Sequence, residues 1–502
     1  MNRYPVLTVC LAVFWATLGT GRQFDLQPAG SKSTSSIVPY RFVVKDLGTF
    51  GGPHGQVNDD SVVLNDAGVV AGAADTAIAD PTCFDSPYCF VMHAFRWQAG
   101  TLTDLGSLPY GANSYAIAIN RQGAVAGISE NGLVDSTTGI TIFHAALWQN
   151  GHIHDLETFG GSFSLPNDLN NLGQVVGGAQ NLTPDPFNFG DIVGLPSSTQ
   201  WRAAFWANGK MIDLGNLEKG HEAFAEFINE QGQIAGDAFT NSVVNAGTGY
   251  PTVAPFLWEN GRMRNLGTLG GHLGTVIALN NRGQVTGQSN LAGDAALHPF
   301  LWDHGVLRDL GSLGGSFSVP HWMSETGIVV GESSLPGDDD YRAWVWKNGV
   351  LTNLGSLDDD PCSRALGVNS LGQVVGDSFS DCDEMDRPWF WDGSGPIIDL
   401  NDLVPPHAGF HLRKPDFINE RGEIAGLVDY PNGDRHPVLL IPCDQVKGAP
   451  AGCEPSAQAV LAASADLPGR SSSVASSTHP VAIATSVAAS TRFRHRLRYR
   501  PQ

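Results

Sequence analysis

Residues 120–127 read Asn-Arg-Gln-Gly-Ala-Val-Ala-Gly, and the pattern behind them, Asn-x-x-Gly-x-Val/Ile-x-Gly, recurs along the chain. Its copies begin at Asn65, Asn120, Asn170, Asn229, Asn280, Ser324, Asn369 and Asn419. A repeat of roughly 50 residues predicts an array of similar units, each of which buries its apolar face against its neighbours. The array accounts for most of the 502 residues.

Each unit is predicted to hold four short strands. In the unit at 101–151, β-compatible runs lie at 101–106, 114–119, 124–128 and 144–148, and turn residues bound each run. Asn at the first and Gly at the fourth position of Asn-x-x-Gly suit a type I turn. Asn-Gly pairs such as Asn150-Gly151 suit a type I′ turn. Both junctions are therefore expected to be tight antiparallel hairpins.

These hairpins predict an all-β fold, a β-propeller of four-stranded antiparallel blades. The Gly-rich stretch after Asp-Leu-Gly is expected to link one blade to the next. Counting units gives eight blades, and seven blades or an open β-solenoid are the alternatives. The first strand, Arg41 to Gly48, is expected to pair with His436 to Ile441 and close the ring, which removes exposed sheet edges.

Composition divides the chain into four segments. Residues 1–22 resemble a secretory signal peptide, because Arg3 precedes an apolar run that is followed by small residues. Residues 23–40 are a predicted linker, 41–443 the propeller, and 444–502 a disordered Ala/Ser/Pro-rich tail whose basic part is 492–500. We expect a secreted protein, extracellular or periplasmic, without a transmembrane span.

Six cysteines outside the signal form three pairs of near neighbours: Cys83 with Cys89, Cys362 with Cys382, and Cys443 with Cys453. An even number of cysteines in an exported chain favours disulfides that staple loops, although spacing alone does not fix the connectivity.

The formal net charge of -21 argues against nucleic acid as a partner of the propeller, because an acidic surface repels phosphates. We expect a monomer without a cofactor or a bound metal. Calcium is the weaker alternative, because acidic runs lie at 338–340, 358–360 and 381–386. None of these runs has the ligand order of a known calcium loop.

The stretch His93-Ala94-Phe95-Arg96-Trp97, followed by Asp104-Leu105-Gly106, resembles the bacterial HAF-repeat family, which is named for its His-Ala-Phe motif. The resemblance covers roughly residues 41–443. It implies an extracellular, β-rich repeat protein, and it carries over no catalytic or binding residue.

Two places are candidates for a site. Three residues before the Asn of each repeat, four units carry a polar side chain where the others are aliphatic: Asn167, Glu226, His321 and Asp416. If that strand lines a central channel, the four side chains are predicted to converge on a ligand. The second candidate is a set of long, variable connections at 73–92, 128–143, 178–201 and 237–253.

The leading functional hypothesis is a secreted, non-enzymatic binding module at the cell envelope or outside the cell, with carbohydrate or protein as its ligand. One alternative is a propeller enzyme, a glycoside hydrolase or lyase, that uses channel carboxylates such as Glu226 and Asp416. The other is a structural spacer without a ligand. We find no nucleophile elbow, P-loop, His-Glu-x-x-His or dinucleotide motif, which favours the non-enzymatic hypothesis.

Overall fold

The computed structural model describes residues 41–58, 61–81, 89–196, 199–380, 382, 387–405 and 409–445. The predicted signal peptide and linker, and the tail beyond Gln445, lie outside these residues. Within them, no helix is long and apolar enough to cross a membrane.

More than half of the described residues lie in β-strands, and very few lie in helices. The first half contains β1 (Phe42–Asp46), β2 (Gly51–Gln56), β3 (Val70–Ala79), β4 (Phe90–Gln98), β5 (Thr101–Asp104), β6 (Ser114–Ile119), β7 (Val125–Val134), β8 (Thr141–Gln149), β9 (His152–Asp155), β10 (Ser164–Leu169), β11 (Val175–Pro184), β12 (Thr199–Ala207), β13 (Lys210–Asp213), β14 (Ala223–Ile228), β15 (Ile234–Val244), β16 (Pro251–Glu259) and β17 (Arg262–Asn265). One short helix, α1 (Phe189–Val193), lies between β11 and β12.

The second half continues in the same way. Its strands are β18 (Gly270–Leu279), β19 (Val285–Leu291), β20 (Leu297–Asp303), β21 (Val306–Asp309), β22 (Ser318–Met323), β23 (Val329–Ser334), β24 (Tyr341–Lys347), β25 (Val350–Gly355), β26 (Cys362–Val368), β27 (Val374–Phe379), β28 (Arg387–Trp391), β29 (Ile398–Asp399), β30 (His411–Ile418), β31 (Ile424–Asp429) and β32 (Arg435–Pro442). Single 3-10 turns lie at Leu357–Asp359, Leu400–Leu403 and Cys443–Gln445.

Antiparallel ladders divide these strands into groups of four, so the predicted fold class is confirmed. Within the described residues the groups are β2–β5, β6–β9, β10–β13, β14–β17, β18–β21, β22–β25 and β26–β29, followed by β30, β31, β32 and β1. In the last group, β1 lies antiparallel to β32, with Phe42 opposite Pro442 and Asp46 opposite Val438. This is the pairing that closure of a ring requires.

The hairpin turns have the predicted geometry. At the Asn-x-x-Gly turn, the N–H of Gly123 donates to the carbonyl of Asn120 at 3.0 Å, and the φ of Gly123 is 81°. The Asn120 side-chain oxygen accepts the N–H of Ala124 at 3.0 Å, which holds the turn from inside. At the second hairpin, Asn150 and Gly151 both have positive φ, as a type I′ turn demands.

The repeated Asn also joins each group to the next. Its side-chain amide donates to the backbone carbonyl of the equivalent residue one group further on, at 2.9 to 3.3 Å. The series runs from Asn65 through Asn120, Asn170, Asn229 and Asn280 to Ser324, and from Asn369 through Asn419 back to Asn65. Ser324 carries no amide, so the step from it to Asn369 lacks this donor. The regular spacing of Asn along the sequence is thus explained by this series of side-chain hydrogen bonds between neighbouring groups.

The His of the His-Ala-Phe motif has a structural partner. Its Nδ1 lies 2.9 to 3.0 Å from the Asp of Asp-Leu-Gly on the neighbouring strand, and this occurs in the pairs His93–Asp104, His144–Asp155, His298–Asp309 and His436–Asp46. Arg202 replaces the His beside Asp213 and keeps the pair, with a distance of 2.9 Å. The His–Asp contact of this motif therefore joins the third strand of a blade to its outer strand.

Two sequence interpretations change. In the connections at 73–92, 128–143, 178–201 and 237–253, the strands β3, β7, β11 and β15 continue beyond the predicted strands and pair with β4, β8, β12 and β16, and α1 lies within 178–201. They are therefore tall hairpins rather than loops. Of the disulfides, Cys362–Cys382 is present, with a Cα–Cα distance of 5.2 Å. Cys89 and Cys443 are also disulfide-bonded, and their predicted partners Cys83 and Cys453 lie outside the described residues.

Candidate functional site

A cavity of about 280 Å³ opens where the inner strands of all the groups meet. Its wall is built in layers, because each inner strand contributes the residues just before its Asn turn. The layer next to the turn is aliphatic and comes from every group: Leu64, Ile119, Leu169, Ile228, Leu279, Met323, Val368 and Ile418. We call this space the channel cavity.

Its floor is mostly aromatic. Trp322 stands between Phe227 and Phe417, with ring centroids 6.3 Å and 5.4 Å apart in edge-to-face contacts. Val62, Ala278 and Asp168 complete this layer. Asp168 is therefore the one carboxylate among the floor residues of an otherwise apolar space.

Burial raises the pKa of Asp168 to about 7, and the nearby Glu230 adds to the shift. Hydrogen bonds from the backbone N–H groups of Ile228, at 3.0 Å, and Leu169, at 2.8 Å, oppose it. Among the described residues, no Lys, Arg or His forms an ion pair with this carboxylate. Its charge is therefore held by backbone dipoles alone.

A ring of side chains surrounds the opening of the cavity, and we call it the mouth ring. It consists of the residue after each Asn: Asp66, Arg121, Asn171, Glu230, Asn281, Glu325, Ser370 and Glu420. Most of its members accept the backbone N–H of the preceding member, as Asn281 does from Glu230 at 2.9 Å. Four members are acidic and one is basic, so the mouth is negative. Burial and the neighbouring Glu420 raise the pKa of Glu325.

The four residues predicted from the sequence lie elsewhere on the inner strands. Each one occupies a β-bulge, where the ladder register shifts by one residue, as between Pro166 and Asp168 or between Ala225 and Phe227. None of Asn167, Glu226, His321 and Asp416 is among the residues that line the channel cavity.

Asn167 and Glu226 are in contact with each other. The Asn167 side-chain amide donates to the Glu226 carboxylate at 2.6 Å and to its carbonyl at 3.0 Å. His321 lies 3.6 Å from Glu332 on the next strand of its own blade, and Asp416 lies 3.1 Å from Lys414. These contacts join residues of the same or adjacent blades, and the convergence of all four side chains on one ligand stays a prediction.

A sequence pattern that marks the lining of the cavity lies one residue closer to the Asn than the column of Asn167, Glu226, His321 and Asp416. Two residues before the Asn, the repeats read Val63, Ala118, Asp168, Phe227, Ala278, Trp322, Gly367 and Phe417. A single acid and three aromatic residues stand out in this column. Because of the bulge, these four residues line the cavity, whereas the residues one position earlier do not: Asp168, Phe227, Trp322 and Phe417 against Asn167, Glu226, His321 and Asp416.

The opposite face carries the tall hairpins, and they are confined to four adjacent blades. The strands β3, β7, β11 and β15 have 10, 10, 10 and 11 residues, whereas β19, β23, β27 and β31 have 7, 6, 6 and 6. The hairpins hold exposed aliphatic side chains near their ends. We call this set the aliphatic crest: Ile78, Leu133, Val134, Leu182, Val243 and Val244.

The crest follows from a repeated local structure. A polar side chain accepts the N–H two residues ahead in each hairpin, as Asn131 does from Leu133 at 3.0 Å and Asn241 from Val243 at 2.8 Å. This contact accompanies a shift of ladder register, for example between Glu130 and Val134. The aliphatic residues in this stretch are left in water, with Leu182 78% and Val243 74% exposed.

Beneath the crest, the residue that follows three of the tall strands, β3, β7 and β11, reaches the next blade. Asp80 accepts the side-chain amide of Asn113 at 3.1 Å, and Asp135 accepts the hydroxyl of Ser162 at 2.5 Å. After β11 the equivalent residue is Asp185, and its partner in the next blade is another acid, Glu222, which forms a side-chain hydrogen bond with it. Burial, and then the charge of Asp185, raise the pKa of Glu222 to about 9. Glu222 is therefore a neutral carboxylic acid that takes the place of an amide.

Among the described residues, no group of three or more His, Cys, Asp or Glu is arranged to hold a metal ion. The acidic runs make other contacts: Asp338 accepts the N–H of Ser316 at 2.7 Å, and Arg387 reaches Asp358 at 2.7 Å and Asp360 at 3.3 Å. Residues 381 and 383–386 lie outside the described chain.

No family model and no curated protein sequence matches the chain. Among solved structures, it is similar to the β-propeller domain of the Trilobed protease from Pyrococcus furiosus, with 9% identity, 70% of this chain and 99% of that chain covered, and a TM-score of 0.41. It is also similar to an ulvan lyase, with 10% identity, 80% and 94% covered, and a TM-score of 0.35. TolB from Acinetobacter baumannii has 11% identity, 76% and 64% covered, and a TM-score of 0.32. These likenesses concern the fold alone.

Proposed function

We propose that this chain is a secreted, non-enzymatic binding protein of the HAF-repeat kind, and that its tall hairpins hold a protein partner. The observation that carries the proposal is the aliphatic crest. Apolar side chains that stand in water on four adjacent hairpins gain free energy when a partner covers them. Exposed Leu and Val are ordinary as single residues, but here they recur in one local structure on one half of one face.

The chemistry of the crest favours protein over carbohydrate. Sugar sites commonly rely on aromatic faces, whereas the crest residues are Ile, Leu and Val. Carbohydrate stays the second candidate because of Tyr110, which is 96% exposed on the link beside the hairpin of β7 and β8.

The surroundings of the carboxylates support a non-enzymatic role. Glu226 and Asp416, the residues expected to serve a propeller enzyme, are each 2% exposed. Glu226 is held by Asn167 and Asp416 by Lys414. Neither carboxylate is open to a polymeric substrate in this arrangement.

Secretion is supported by the cysteines. The Cys362–Cys382 bridge, together with the disulfide-bonded Cys89 and Cys443, suits a chain that folds in an oxidising compartment.

Charge variants of the full chain test the proposal. Leu182→Asp with Val243→Asp places two charges in the crest, and Leu172→Asp with Leu371→Asp does the same at comparably exposed sites on the mouth face. Tagged proteins are compared for capture from medium of the producing cells. We expect the variant with both crest substitutions to capture at least about tenfold less of the partner, because burying one such side chain contributes about 2 kcal/mol. The mouth-face pair should keep it.

Equal capture by both pairs would contradict the proposal. A glycan array probed with the same proteins separates the second candidate. Binding of a sugar class that Tyr110→Ala abolishes would favour carbohydrate instead.

A further inference from the structure

We infer that the mouth ring and the channel cavity bind arginine side chains of residues 492–500 of the same chain. This site lies on the face opposite the aliphatic crest and is independent of the proposed function. Its occupant is argued from the charge of the site, the shape of the cavity and the route of the chain.

The site has an excess of negative charge that its own residues do not balance. Asp66, Glu230, Glu325 and Glu420 are opposed in the mouth ring by Arg121, which lies 3.8 Å from Asp66. Next to the ring, Arg282 acts on the charge of Glu325, and Arg421 is paired with Glu423. Asp168, below them, is held by two backbone N–H groups. A guanidinium group at the mouth would balance several of these carboxylates together, in a place partly shielded from solvent.

The cavity suits a flat cation better than a hydrated one. An aliphatic layer surrounds the passage and Trp322 forms part of the floor. A guanidinium is planar, weakly hydrated and stacks on aromatic rings, whereas an ammonium keeps its water. A volume of about 280 Å³ accommodates side chains rather than a folded partner.

The described chain leaves the propeller beside this mouth. The Gln445 side-chain amide donates to the carbonyl of Arg421 at 2.5 Å, and Arg421 follows Glu420 of the mouth ring. Residues 446–491 then separate Gln445 from the arginines. A linker of that many residues has an average end-to-end distance of roughly 40 Å when it behaves as a random coil, which corresponds to about millimolar effective concentration of the arginines at the mouth.

The segment itself has the required pattern. It reads Arg-Phe-Arg-His-Arg-Leu-Arg-Tyr-Arg from Arg492 to Arg500. In an extended backbone, alternate side chains point to opposite sides, so the five arginines share one edge. That edge can meet a ring of carboxylates.

A peptide with the sequence of residues 492–500 is the probe, and the protein is the full chain in two forms. One is the natural sequence and the other carries Arg→Gln at 492, 494, 496, 498 and 500. We expect the peptide to bind the five-substituted chain and to bind the natural chain at least about tenfold more weakly, because the natural segment already occupies the site. Asp168→Asn with Glu420→Gln, added to the five-substituted chain, should weaken binding by about tenfold or more, whereas Glu218→Gln on the opposite face should not.

Equal peptide affinity for the natural and five-substituted chains would overturn the inference, as would the absence of binding to either. Binding that survives Asp168→Asn with Glu420→Gln would place the peptide elsewhere and would also overturn it. Circular dichroism of each variant shows that the fold is kept.

Discussion

Asp46 and His436 are 390 residues apart in the chain, and the Nδ1 of His436 lies 2.9 Å from a carboxylate oxygen of Asp46. Elsewhere the same pair joins neighbouring strands of one hairpin, as His144 and Asp155 do at 2.9 Å. Here it joins the first described strand to the last. The hydroxyl of Tyr430 also donates to Asp46, at 2.5 Å.

Asp46→Ala is expected to lower the free energy of unfolding by about 1–2 kcal/mol, because two half-buried donors, His436 and Tyr430, lose their acceptor. Asp155→Ala is the matched control within a hairpin and should cost about 1 kcal/mol. Urea denaturation measures both. If β1 did not complete the last blade, Asp46→Ala would leave stability unchanged while Asp155→Ala lowered it.

Acid should weaken the same contact. Burial alone would raise the pKa of Asp46, but hydrogen bonds from His436 and Tyr430 outweigh it and lower the pKa below the usual 3.8. A lowered pKa stabilises the fold above the unfolded value, and that contribution disappears as pH falls through the folded value. The difference in stability between the natural chain and Asp46→Ala should therefore shrink below about pH 4.

Ser324→Asn is expected to stabilise the propeller. Ser324 is the one member of the repeat position without an amide, so the step from it to Asn369 lacks the side-chain bond that the other steps have. The added amide should contribute about 0.5–1 kcal/mol. Asn229→Ser is the reverse change and should cost a similar amount or more, because it leaves the carbonyl of Asn280 without its donor. Unchanged stability in both variants would refute the role given to the series of side-chain hydrogen bonds.

Glu222→Gln is expected to raise stability at neutral and alkaline pH. The folded chain keeps the Glu222 proton up to about pH 9, whereas the unfolded chain loses it near pH 4.5. The unfolded state therefore binds fewer protons in between, and stability falls as pH rises through that window. Gln carries no such proton and can donate to Asp185, as Asn113 donates to Asp80. At pH 8 the variant should gain about 1 kcal/mol or more.

Unfolding curves at pH 5 and pH 8 test this prediction. The gain from Glu222→Gln should be larger at pH 8 than at pH 5. Asn113→Asp, the converse change at the equivalent place, should be destabilising and most so at high pH. A variant with the same pH slope as the natural chain would show that Glu222 is ionised.

The sequence was sufficient for the fold because its turns are chemically explicit. Asn120 with Gly123, and Asn150 with Gly151, allow only tight hairpins, and those hairpins leave the Gly-rich stretches as the links between blades. The same reasoning paired Arg41 to Gly48 with His436 to Ile441, and β1 does lie against β32.

The predicted channel-lining residues lie one position before those that line the cavity, and the reason is physical. A β-bulge adds an unpaired residue to the inner strand, so alternation no longer tells which of two successive side chains faces the centre. Asn167 and Asp168 are such neighbours, and only Asp168 lines the cavity. The tall hairpins were read as loops because residues such as Asn131, Thr138 and Gly139 favour turns, whereas pairing with a partner strand decided the outcome.

The most direct measurement of the proposed function is in-cell photo-crosslinking of the full chain. A photoreactive residue replaces Leu182 in the crest in one strain and Leu172 in a second strain, two exposed positions on opposite faces of the same blade. We expect a discrete protein adduct from position 182, lost when Val243→Asp is added, and none from position 172. Adducts of equal yield from both positions, or none from either, would contradict a partner-binding crest.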